Sequence, residues 1–122
     1  MNADLTQLSA RAIAAMVGAR NISAHAVVAA FVGRIERFNP GLNAIIGFDA
    51  AAALAAADTV DARLAAGEAL PLAGVPFTVK DNLWVGGRRA SQGSKIFADF
   101  QAPRVRAVVS RSMPTCCRHS RA

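Results

Sequence analysis

The sequence predicts an α/β fold, and three observations predict it. Two stretches carry apolar residues at helical spacing behind a capping serine, an alanine-rich stretch follows a capping aspartate, and two short β-prone runs punctuate them. Composition permits such a fold. Of the 122 residues, 53% are hydrophobic and 18% charged, which is not the balance of a disordered chain. A chain of this length can remove roughly two-thirds of its unfolded surface from water.

The first helix is expected from about Ala10 to Ala19, capped by Ser9, with Ile13, Met16 and Val17 on one face. Ser23 caps a stronger one. Its stripe is Val28, Phe31, Val32, Ile35 and Phe38, with Arg34, Glu36 and Arg37 largely off it, and Asn39-Pro40-Gly41 is expected to end it. Asn21-Ile22-Ser23 also matches a glycosylation sequon, but capping explains Ser23 without a secretory signal.

Ala44 to Phe48 reads as a short buried strand. Asp49 then caps a helix to about Ala66, with Leu54 and Leu64 facing a core and Asp58, Asp61 and Arg63 available to water. An alanine surface packs closely but buries little area, so this helix needs a larger partner. Gly67 stops it, and a second strand is expected from Val75 to Val79, with Lys80 at its end. Ends of strands in α/β sheets are where ligand sites form.

The net charge of +6 suggests nucleic acid, yet its position argues otherwise. Residues 1–103 carry nine basic and eight acidic side chains, whereas residues 104–122 carry five arginines and no acid. A basic tail gives only salt-sensitive, nonspecific affinity, so no specific nucleic-acid partner is expected. No run of 18 or more apolar residues is present, so no membrane partner is expected. Asp4 spoils the basic start of a signal peptide, which makes the cytoplasm the expected location. Cys116 and Cys117 are adjacent and, with His119, lack the spacing and the fourth ligand of a zinc site; neither metal nor cofactor is expected. His25, on an early helix, reads as a structural or exposed side chain.

Several segments in order resemble the amidase signature family. Leu8-Ser9-Ala10, Ile22-Ser23-Ala24 and Ile35 to Ala44 are similar to the family's N-terminal helix pair and first strand. Leu72 to Asn82 looks like its lysine strand, and Gly87, Ser91, Gly93 and Ser94 are similar to the positions that follow. The resemblance covers residue 5 to about 104. It implies the N-terminal part of the amidase signature fold, a mixed β-sheet flanked by helices, incomplete in this chain. Residues 1–103 are then the N-terminal portion of an amidase domain, and residues 104–122 a divergent basic tail, disordered or out of frame. The tail loses family similarity and periodicity together near Arg104, and Pro114 breaks the helix expected there.

The chemistry the resemblance implies is hydrolysis of a small-molecule carboxylic amide through a serine acyl-enzyme. A lysine acts as base, a serine on a cis peptide relays the proton, and a second serine attacks. Lys80 matches the lysine and is the one catalytic residue carried over. A neutral lysine needs its reference pKa of about 10.4 lowered by roughly three units, which burial among apolar groups such as Val75, Pro76, Phe77 and Val79 is expected to supply. The glycine- and serine-rich stretch that holds both serines does not occur in these 122 residues. Loss of a nucleophile alone removes about six orders of magnitude from turnover, so the chain by itself is expected to be inactive. Ser91 and Ser94 are read as packing or bonding the backbone rather than forming a serine–lysine pair. Two other readings stand beside this one: a nonenzymatic remnant, and a binding module using the arginine tail.

Overall fold

The computed structural model describes residues 4–103, which divide into one unit ending at Pro76 and another beginning at Phe77. The first is helical. After a 3-10 turn at Leu5–Gln7 come α1 (Ala10–Gly18), α2 (Ala24–Leu42) and α3 (Ala50–Ala65). Ser9, Ser23 and Asp49 cap them as expected, each accepting the N–H three residues on.

Helix α2 receives a second cap from α3. The Asp61 carboxylate accepts the N–H groups of Ala24 at 2.7 Å and His25 at 3.0 Å, and Ser23 Oγ accepts that of Ala26 at 3.0 Å. The N–H groups ahead of the first intrahelical bond, Val27 to Ser23, are thereby satisfied. Asp58, one turn earlier on α3, lies 2.6 Å from His25 Nδ1. Asp61 is thus not the solvent-facing side chain expected of it. Four residues C-terminal to Ala57, it staples two helices where their N–H groups and its negative charge meet.

The core joins Ile13 and Val17 of α1, Ala24 and Val27 of α2, Ala57 and Val60 of α3, and Ala73. Its largest fully buried side chains are valines. Gly74 lies against it with φ +68°, and a Cβ there would sit 2.8 Å from Val17 Cγ2 and 3.2 Å from the Ala24 methyl. Only glycine fits both the backbone and the gap.

The stripe expected on α2 is buried only in part. Val32 is enclosed, Val28 and Phe31 edge the core, and Phe38 remains 46% exposed beneath the guanidinium groups of Arg34 and Arg37. The small core ends before α2 does. Leu54 and Leu64 are likewise only half-buried, while Ala57 and Val60 carry the contact. Asn39-Pro40-Gly41 does not end α2. The helix runs through Pro40 to Leu42: the proline withholds one N–H from the carbonyl four residues back, and the last turn is closed instead by Asn43, which at φ +48° donates its N–H to the Asn39 carbonyl at 2.6 Å.

The α/β expectation is met in its helices and not in its strands. Among the described residues the only ladder contact is one antiparallel bridge, Arg89 to Gln101. In residues 44–48 the Asn39 side chain takes both the N–H and the carbonyl of Ile45, the groups a neighbouring strand would use, and Gly47 turns to φ +63°. In residues 75–79, Val75 donates its N–H back to Leu72 and Pro76 has none to give. A strand exists only with a partner, and these segments have none among the described residues. Residues 104–122, expected as a divergent tail, lie outside the described residues.

Candidate functional site

Lys80 opens a turn, with the Leu83 N–H donated to its carbonyl at 2.9 Å. Its side chain is exposed. The apolar enclosure expected for it is not provided by its own segment: Val79 is half-buried and Phe77 is 49% exposed.

The best-ordered polar arrangement in this unit is centred one residue later, on Asp81. Its Oδ1 accepts the Ser91 N–H at 3.0 Å, and its Oδ2 accepts the Ser91 hydroxyl at 2.6 Å and the Gly93 N–H at 3.3 Å. These donors, the Ser91 hydroxyl foremost, hold the carboxyl below its ordinary pKa of 3.8. The Ser91 proton is therefore directed at Asp81. Ser94 Oγ accepts the Ile96 N–H at 3.2 Å and caps the short 3-10 turn Lys95–Phe97. Ser91 thus bonds the Asp81 carboxylate and Ser94 a backbone N–H.

Beyond the clamp the chain folds back on itself. Gly87 donates its N–H to Ala102, Ala90 to Phe100, and Ala102 to Arg88, at 2.9–3.1 Å. Val85, Ala90 and Ala102 are buried there, and the Trp84 and Phe100 rings lie 5.4 Å apart. The Asp81 clamp bonds the residue that follows Lys80 to the Ser91–Gly93 turn within this ribbon. Sequence reading singled out Lys80, Ser91, Gly93 and Ser94 but passed over Asp81. The signal was present: an acid directly after the lysine, and a Ser-x-Gly turn ten residues on.

Among the described residues no three histidine, cysteine or acidic side chains are grouped to hold a metal ion, and no helix is long and apolar enough to cross a membrane. Cys116, Cys117 and His119 lie outside the described residues.

Comparison with known proteins agrees with the segment-by-segment resemblance. The amidase family pattern matches residues 26–113 and so continues past Pro103. A glutamyl-tRNA(Gln) amidotransferase subunit from Acidothermus cellulolyticus is 44% identical over 109 residues, 88% of this chain and 22% of its own length. The protein of the same name from Alkalilimnicola ehrlichii is 46% identical over 99 residues, 81% of this chain and 20% of its own. That from Aromatoleum aromaticum is 43% identical over 110 residues, 90% and 21% respectively. The chain spans about one fifth of the length of these curated relatives. On its helices, its lysine segment and this match, the chain belongs to the amidase family.

Proposed function

We propose that this chain supplies the lysine-bearing segment of an enzyme that hydrolyses a carboxylic amide, with Lys80 as the base of a serine, cis-serine and lysine device. The observation that carries the reading is the family match spanning Lys80 and its flanking residues. The relatives are named as glutamyl-tRNA(Gln) amidotransferase subunits, which supports a carboxamide as the group acted on, and glutamine is the amide chosen for the test. Neither serine occurs as a family motif in these residues, so the chain alone is inactive. The exposure of Lys80 fits the same reading, because an amine acting as a base at neutral pH needs a dry enclosure. Residues 44–48 and 75–79 become strands of a mixed sheet once the remainder of a family domain offers them partners.

The test is a graft. Residues 5–103 replace the matching segment of the Acidothermus cellulolyticus protein within its own assembly, and ammonia release from glutamine is measured. The graft retains hydrolysis, and Lys80→Ala within it lowers kcat by roughly 10²–10⁴-fold, the usual worth of a general base. A folded graft whose hydrolysis is indifferent to Lys80→Ala contradicts the assignment.

A nonenzymatic remnant is the second reading, and the exposed apolar side chains favour it. Leu42 is 71% exposed, Leu72 63% and Ile96 88%, side chains that self-association would cover. Sedimentation of the purified chain tests it, with self-association as the expected result. For residues 114–122, which lie past the family match, the proposal is out-of-frame translation. It is abandoned if neither other frame of the coding DNA continues as an amidase.

A further inference from the structure

We propose that Asp81 is the positioning residue for Lys80, acting as an internal anion that holds the Ser91–Gly93 turn against the lysine's own backbone. The inference rests on the reading of Lys80 as the base and adds the group that fixes it in place.

The turn itself calls for such a group. Gln92 and Gly93 are successive left-handed residues, at φ +53° and +69°. A side-chain-bearing residue adopts that conformation only when something holds it. Successive backbone N–H groups in such a turn form a concavity that binds anions. Here the anion is part of the chain. The Asp81 carboxylate receives the Ser91 and Gly93 N–H groups and the Ser91 hydroxyl.

The same geometry argues against Asp81 as a base in its own right. Three donors already point at its two oxygens, and a carboxylate so satisfied is a poor proton acceptor. Lys80 and Asp81 share a peptide unit, and the Lys80 carbonyl closes the turn to Leu83. The ribbon that begins at Gly87 then returns through Ala90, whose N–H is donated to Phe100. Fixing Asp81 to residues 91–93 therefore ties the lysine's backbone to the segment that carries the Arg89–Gln101 bridge. Without the carboxylate, the Lys80 backbone keeps its turn bond to Leu83 and loses this direct tie to residues 91–93.

The test uses the 122-residue chain and NMR, with no dependence on hydrolysis. In the wild type, the Ser91 and Gly93 amide shifts follow one acid titration with a midpoint below 3.8, and the Lys80 amide follows it too. Ser91→Ala removes the largest cause of the lowered value and moves that midpoint up toward 3.8. Asp81→Asn sets an amide donor against the Gly93 N–H or leaves a contact unmade, and it abolishes the titration at all three amides. Amide exchange at Ser91 and Gly93 accelerates roughly tenfold in Asp81→Asn, and Asp81→Glu restores part of the protection. The proposal is overturned if Ser91 and Gly93 do not titrate in the acid range. It is equally overturned if they do while the Lys80 amide stays fixed in every variant. Failure of the graft with this titration intact removes the enzymatic reading and leaves the clamp standing; the reverse outcome removes the clamp alone.

Discussion

The helical unit and the lysine-bearing unit are held by different means. Up to Pro76, three capped helices close a core of valine, isoleucine and alanine, and a carboxylate from one helix caps another. From Phe77 onward the described residues show one antiparallel bridge, one 3-10 turn, aromatic contacts around Phe100 and the Asp81 clamp. Helices satisfy their backbone groups locally, so a piece of a domain can keep them. Strands satisfy theirs only across a partner, so a piece that lacks the partner loses them. The catalytic lysine of the proposed device falls in the half that needs a partner.

Substitutions can break this contrast from the helical side. The largest expected effect is Gly74→Ala, which forces a Cβ into Val17 at 2.8 Å on a left-handed backbone. A loss of about 2–4 kcal/mol is expected, read from urea unfolding followed by helical circular dichroism. Val17→Ala empties part of the fully buried centre and costs about 2 kcal/mol by the same measurement. Asp61→Ala leaves the Ala24 and His25 N–H groups without their acceptor and costs about 1–2 kcal/mol. Trp84→Ala sharpens the contrast from the other side. It removes the ring contact with Phe100 and leaves the helical transition within about 0.5 kcal/mol of its original position.

Acid gives the smallest effect and touches both units. Hydrogen bonds from Thr6 hold Asp4 below 3.8, the Arg63 guanidinium holds Glu68 below 4.5, and Ser91 holds Asp81 below 3.8. Each group loses its proton more readily folded than unfolded, so each stabilises the fold at neutral pH. That stabilisation is present above the ordinary carboxylate values and fades as pH falls through the lower folded ones. Thermal scans from pH 6 to pH 2.5 are expected to show a fall confined to the region below about 4.5.

Sequence alone made the helices legible because their signals are local. Ser9, Ser23 and Asp49 cap as expected, and the first and third helices end within a residue or so of their expected limits. What escaped was set by distant partners. Asp61 looked like a surface acid on its own helix, and only the approach of α2 makes it a cap. Phe38 and Leu54 looked like core residues because their spacing is right, yet α2 and α3 outrun what the described residues bury them against. Residues 44–48 and 75–79 have strand composition, which reports fitness for a sheet and not the presence of one. Lys80 stands out through its surrounding motif, whereas Asp81 does not, since its three donors come from a turn ten residues away.

The most direct measurement of the central claim, that this chain carries the lysine of an amidase without the rest of its machinery, is ammonia release from glutamine by the purified 122-residue protein beside its Lys80→Ala variant. Equal release at the uncatalysed rate is the predicted result. Turnover by the wild type that disappears in Lys80→Ala would contradict it, because these residues would then supply a nucleophile of their own.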